Sequence, residues 1–77
     1  MDEQKLIHDP PQKVLALYQA VIEFINEGCD INTLKVADIT GRAGIGKGTA
    51  YEYFSSKEEI ISFAILYYNV VLNQDLF

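Results

Sequence analysis

The sequence predicts an all-α fold: a three-helix bundle with a tight turn between its second and third helices, continued by a fourth helix. Three observations carry that prediction. From Val14 to Ile25 the apolar residues recur at three- and four-residue steps, which is the repeat of one helix face. Between Val36 and Tyr53, glycines at 41, 44, 46 and 48 break up two short helical patterns, as a tight helix–helix turn requires. No segment alternates apolar and polar residues between turn signals, so no strand is expected. At 77 residues the chain makes one small domain with a modest core. Its 49% apolar content argues against a disordered polyelectrolyte.

Residues 1–8 are polar and are expected to form a flexible tail, with His8 in solvent. Asp9-Pro10-Pro11 is a start signal: a carboxylate able to cap, then proline where a first helical N–H would be unpaired anyway. The first helix follows, with Val14, Leu17, Tyr18, Val21, Ile22, Phe24 and Ile25 on its apolar side, until Gly28 stops it. Residues 29–32 are a connector. Cys29, the one cysteine, has no disulfide partner in the chain and no CxxC spacing, so it is expected to be a partly buried thiol. Thr33 can cap a second helix over about 34–42, with Val36, Ile39 and Ala43 inward. Gly41 and Gly44 mark the turn, and Ile45 plugs the angle. A third helix is expected over about 47–54. Ser56 opens a fourth, and Glu59 three residues on completes a capping box. The expected organisation is a tail over 1–8, a helix-turn-helix domain over 9–56 with its core motif at about 34–54, and the linking helix over 57–77.

Net charge is −5, which on its face argues against nucleic acid. The distribution is uneven. Residues 1–32 carry two basic and six acidic side chains, and residues 58–77 carry three acidic ones. Residues 33–57 carry Lys35, Arg42, Lys47 and Lys57 against Asp38 and Glu52, a local excess of two positive charges. Local potential governs what docks there. No basic-then-apolar leader opens the chain, and its longest apolar run, Phe63 to Tyr68, is far short of the ~20 residues that span a bilayer. A cytoplasmic protein without membrane partners is expected.

The stretch GRAGIGKGTAYEYF, residues 41–54, contains the Gly-x4-Gly-Lys spacing of a nucleotide-binding loop. That loop needs Ser or Thr directly after the lysine to hold Mg²⁺, and here Gly48 stands there, with Thr49 one place late. It also needs a preceding strand, whereas VADIT before Gly41 favours helix. No nucleotide or other cofactor is expected. Two helices joined by a glycine turn explain more residues: such a unit places its second helix in the DNA major groove. Val36, Ile39, Thr40, Ala43, Gly44, Ile45, Ala50 and Tyr53 fit its packing positions, with Thr40 slightly large for the small residue at the crossing.

Phasing the third helix at 100° per residue puts Ala50, Tyr53 and Phe54 inward. Gly48 and Glu52 lie at the centre of the opposite side, flanked by Thr49 and Tyr51, with Lys47 where the helix begins. Gly48 then allows close approach to DNA, Thr49 offers a hydroxyl or methyl, and Tyr51 a phenol for phosphate. Tyr53 packs in the core on this phasing. Lys57, at the start of the fourth helix, suits a backbone phosphate, with a plain surface lysine as the alternative. No Cys–His pair, Ser-His-Asp set or metal-ligand cluster is visible, so no enzyme is expected.

The run KVADITGRAGIGKGTAYEYFSSKEEI resembles the signature of the TetR (tetracycline repressor) family of bacterial transcription regulators. The matching pieces are an apolar-x-x-Ile pattern, Ala-Gly-Ile for the family's Ala-Gly-Val, Lys-Gly-Thr, Tyr-x-Tyr-Phe and Ser-Lys-Glu-Glu. Phe24 four residues before Gly28 is similar too, and the resemblance covers about residues 12–66. It implies a homeodomain-like three-helix DNA-binding head and a fourth helix leading to a C-terminal domain that binds a small-molecule effector and forms a homodimer. It implies a near-palindromic duplex operator as partner, and Thr33 and Lys35 at phosphate-contacting positions before the second helix. Lys47, Gly48 and Thr49 would face bases or phosphate, and Tyr51, Tyr53 and Lys57 would contact mostly the backbone. Two departures matter. Gly46 stands where the family often has a capping Ser. Glu52 stands where aromatic or basic residues are common, and either accepts from a cytosine amino group or is repelled by phosphate.

From residue 57 onward two apolar stripes appear: Ile60, Ala64, Tyr67 and Val71, and Ile61, Ile65, Tyr68 and Leu72. One can cover the first three helices; the other expects a partner, as in the linking helix of a truncated longer regulator. A second function class is a small helical protein–protein interaction module, favoured by the net charge and by Glu52.

Overall fold

The computed structural model describes residues 3–72. Among them lie five α-helices and no strand: α1 (Glu3–His8), α2 (Gln12–Asn26), α3 (Val36–Ala43), α4 (Lys47–Tyr53) and α5 (Lys57–Tyr67), with a π-helical turn over Tyr68–Leu72. This is the all-α helix-turn-helix bundle with an added helix that the pattern predicts. None of these helices is long and apolar enough to cross a membrane.

Residues 3–8 depart from the expected tail. Residues 3–8 are helical, Leu6 is buried, and the Tyr18 hydroxyl donates to the Leu6 carbonyl at 2.8 Å. One leucine and one buried tyrosine dock a segment that its polar composition alone would leave loose; His8 is exposed as expected. Asp9 caps nothing: Pro11 takes the N-cap place of α2 without a side-chain cap, and its φ of −56° suits the approach to a helix.

Both α2 and α3 end by the same device. At the end of α2, Gly28 has φ +84°, its N–H bonds the Ile25 carbonyl, and Cys29 N–H bonds the Phe24 carbonyl. At the end of α3, Gly44 has φ +77°, its N–H reaches the Gly41 and Thr40 carbonyls, and Ile45 N–H bonds Thr40. These are Schellman closures, which satisfy the last carbonyls of a helix and need a left-handed residue that glycine supplies cheaply. Gly44 therefore makes the turn. Gly41, expected to share it, is an ordinary exposed residue inside α3.

The start of α3 also lies later than expected. Thr33 caps no helix: its hydroxyl donates to the Asp30 carbonyl within the connector, where the Asp30 carboxylate also accepts from Asn32 N–H. Lys35 is the N-cap residue, and Asp38 reaches back to accept from Lys35 N–H at 2.9 Å. Cys29 is exposed rather than partly buried, because it sits just past the Gly28 reversal. At α5 the Ser56 hydroxyl accepts from Glu59 N–H as predicted, and the Glu59 carboxylate reaches one residue further back, to Ser55 N–H.

The core is a single cluster. Val14, Leu17, Tyr18 and Val21 of α2 meet Ile39 of α3, Ala50 of α4, Phe54, and Ile60 and Ala64 of α5. Tyr18 sits at its centre, 5.3 Å from the Tyr67 ring and 6.2 Å from Phe54, and Phe54 continues to Phe63 at 5.7 Å. Burial of each large apolar side chain is worth about 1.5–3 kcal/mol, so α5 is held along α2 chiefly by this aromatic and aliphatic seam. The expected pair of stripes on the fourth helix resolves differently. Ile61 is buried with the first stripe and Tyr68 is half-buried, and the exposed apolar side chains are Ile65, Leu66 and Val70. Leu72 ends the π turn, and its side chain, like residues 73–77, lies outside the described residues.

Candidate nucleic-acid interface

The pair α3 and α4 is set by three features. Gly44 reverses the chain, Ile45 packs half-buried against the core, and Ala50 of α4 is fully buried where the two helices meet α2. Thr40, the residue judged large for the crossing, is 3% exposed; its hydroxyl donates to the Val36 carbonyl at 3.0 Å and more weakly to Ala37. The extra polar atom is thus satisfied inside α3, and the site tolerates it. No nucleotide loop exists here: the Gly-x4-Gly-Lys spacing spans the last turn of α3, the reversal and the first residue of α4.

With Ala50 fixed inward, the 100° step dictates the rest of α4. Lys47, Gly48, Tyr51 and Glu52 are exposed, Tyr51 at 53%, and Thr49 is half-buried. Phe54 is buried one residue past the helix, and Tyr53 is partly buried against the core, on the packing side as phased, while keeping part of its ring open. Gly46 begins α4 without a side-chain cap. Gly48 faces open space, with nothing near the place a Cβ would take. Lys35 and Thr33 lie exposed at the edge of the same pair of helices, ahead of α3.

The positive charge of this region is redistributed by contacts that sequence spacing does not reveal. Arg42 turns back to α2. Its two terminal nitrogens pair with the two Glu27 carboxylate oxygens, one at 3.0 Å, a weaker ion pair to Glu23 lies at 3.7 Å, and its guanidinium stacks 3.9 Å over the Phe24 ring. The hydrogen bonds from Arg42 hold the Glu27 carboxyl below the usual carboxylate range. Arg42 is therefore a strut between α2 and α3. Lys57 donates to the carbonyls of Leu34 at 2.7 Å, Asn32 at 3.0 Å and Ile31 at 3.5 Å. Its ammonium has three donors, and the structure sets three carbonyl oxygens around them. Among the described cations of residues 33–57, Lys35 and Lys47 are left in solvent without a carboxylate partner.

The Arg42 strut had no legible signal, since Glu27 lies 15 residues away and charge spacing within one helix does not reach it. The Asp38 cap did have one: an Asp three residues after Lys35 is half of a capping box, and it marks the true start of α3. Among the described residues no group of His, Cys, Asp and Glu could hold a metal ion.

A family model described as bacterial regulatory proteins, tetR family, matches residues 19–62, which is more than half of the chain and spans the second half of α2, the whole of α3 and α4, and the first half of α5. Neither a curated protein nor a solved structure matches the chain.

Proposed function

The chain belongs to the bacterial tetR family of regulatory proteins, a family of helix-turn-helix DNA-binding transcription regulators, and from that premise we propose that it reads a specific duplex operator with α4 and represses transcription as a homodimer. One observation supports this most: the side of α4 opposite the buried Ala50 carries Gly48 and Glu52 into solvent, with Tyr51 beside them and Lys47 exposed where the helix begins, on a helix that follows the Gly44 reversal. Gly48 lets the helix approach the groove floor. Lys47 and Lys35 neutralise phosphate, Thr33 and Tyr51 donate hydroxyls to it, and the open edge of Tyr53 adds a backbone contact. Thr49 and Glu52 face base edges, Glu52 as an acceptor for a cytosine amino group. Few side chains read bases directly, so discrimination rests on DNA shape and on a second half-site. Two heads would occupy successive major grooves about 34 Å apart on a near-palindromic site. Repression would follow by occlusion, and an effector bound to a C-terminal domain would release the heads by changing their spacing.

The test is a two-dimensional amide NMR titration with mixed-sequence duplex DNA at low salt. Shifts confined to residues 33–35, 47–53 and their neighbours, fading as salt rises, are expected. Lys47→Ala should weaken binding at every sequence and lower the salt slope by about one unit. Shifts that instead fall on Ile65, Leu66 and Val70, unaffected by Lys47→Ala, would favour the protein-interaction alternative.

A further inference from the structure

The connector between α2 and α3, residues 27–35, contains no regular element, yet it decides where α3 begins and where Lys35 points. Its local bonds are the Gly28 closure at one end, the Asp30 turn in the middle and the Asp38 cap on Lys35 at the other. Across the chain it is held by Glu27 paired with Arg42, by buried Leu34 and half-buried Ile31, and by the Lys57 ammonium. The rest of the junction is open: a cleft of about 200 Å³ lies between the connector and the first turns of α5, lined by Ile31, Asn32, Lys57, Glu58, Ile61 and Ser62. Ile31 and Ile61 line this gap without filling it, and the Lys57 ammonium is the polar tie across it. The strongest of its bonds, 2.7 Å, goes to the Leu34 carbonyl, which shares a peptide unit with the N-cap residue Lys35.

We propose that Lys57 is a positioning residue of the DNA interface: from the first turn of α5 it clamps the Ile31, Asn32 and Leu34 carbonyls and so sets the place of Lys35 and the pitch of α3 and α4 against the duplex. This rests on the DNA-reading function proposed above. Lys57 touches no phosphate in this scheme. Its positive charge is met by three converging carbonyl dipoles, an arrangement that an ammonium with three diverging donors satisfies and that a planar guanidinium satisfies poorly. The clamp also joins α5 to the segment that carries a phosphate contact, so a tilt of the first turn of α5 is felt at Lys35 without passing through the core.

The experiment compares the unsubstituted chain with Lys57→Met, which keeps the stem and removes the ammonium, using mixed-sequence duplex DNA across a salt series. The expected result is an affinity lower by about tenfold at fixed salt, the scale of one charge-assisted hydrogen bond, with the slope of log K against log salt lower by up to about one unit, because Lys35 no longer meets its phosphate. Lys35→Ala should cost about one slope unit in the unsubstituted chain and much less on top of Lys57→Met, since Lys35 is then misplaced. Lys57→Arg should not restore binding. A purely stabilising role would lower the melting temperature and leave the Lys35 effect unchanged, and that result overturns the proposal. So does a slope that falls by about one unit in Lys57→Met and by a full further unit when Lys35→Ala is added, since additive losses mark two independent phosphate contacts. A measurement on the unsubstituted chain stands independently of how well the variant folds. The Lys57 side-chain ¹⁵N resonance should stay in place when DNA binds, and a large shift overturns the clamp. If the unsubstituted chain shows no salt-sensitive binding, the DNA reading itself has failed and the proposal falls with it.

Discussion

Gly41 and Gly44 lie three residues apart, and alanine should act on them with opposite sign. At Gly44 the φ of +77° lies in the left-handed region, while nothing stands within 4 Å of the place a Cβ would occupy. The cost of Gly44→Ala is therefore conformational alone, with no steric part. A left-handed L-residue costs about 1–2 kcal/mol. The less flexible unfolded chain returns ~0.4–1 kcal/mol of that, leaving a net loss on the order of 1 kcal/mol. At Gly41 the backbone is helical, the site is exposed, and the space is also open. Gly41→Ala should gain about 0.5–1 kcal/mol. In a domain of this size 1 kcal/mol moves the melting temperature by about 4–8 °C, so the two variants should melt clearly apart. Thermal and urea unfolding followed by circular dichroism measures both. Gly44→Asn should fall between Ala and Gly, because asparagine visits this conformation more readily. Equal stability of Gly44→Ala and the parent, or destabilisation by Gly41→Ala, would refute the assignment of the reversal to Gly44.

Three further outcomes follow from the same structure. Gly48→Ala should raise the melting temperature, by the helix propensity of about 1 kcal/mol, and weaken duplex binding in the same preparation, because only the groove side of α4 is altered. Tyr18→Phe removes the hydroxyl that the buried Leu6 carbonyl accepts and should cost roughly 1–2 kcal/mol, with faster amide exchange across α1 as its local signature. The Glu27 carboxyl is held below its ordinary range by Arg42, so the stability that it contributes is complete above the unfolded carboxylate pKa and is lost as pH falls through the lower folded value. An acid titration should show that loss in the parent and not in Arg42→Ala.

What the sequence made legible follows short-range rules. The 3.6-residue repeat placed α2, and the phase of α4 followed from Ala50 and Phe54, because helix geometry converts spacing into direction without knowledge of the partner. The Ser56–Glu59 cap was legible for the same reason. Long-range side-chain choices were hidden. Arg42 counted as one of four cations on the candidate surface until Glu27 and Phe24, brought close by the Gly28 reversal, claimed it. Lys57 was hidden in the same way, since three carbonyls 23 to 26 residues away carry no side-chain signature. Residues 3–8 were missed for a third reason: a segment with four polar side chains in six can dock through one leucine if a buried tyrosine elsewhere needs an acceptor.

The Arg42 strut has a consequence for how this molecule meets a long polyanion. Outside residues 33–57 the chain carries nine carboxylates and two lysines, while the α3–α4 side keeps Lys35 and Lys47 open. Exposed Asp38 and Glu52 share that side, so the window of attraction for a polyanion is Lys35, Lys47 and Lys57 against two carboxylates, in a chain whose remaining charge repels it. Tying up Arg42 narrows that window. What is left is weak long-range attraction, so that contact at short range, rather than steering, would decide whether a duplex is held.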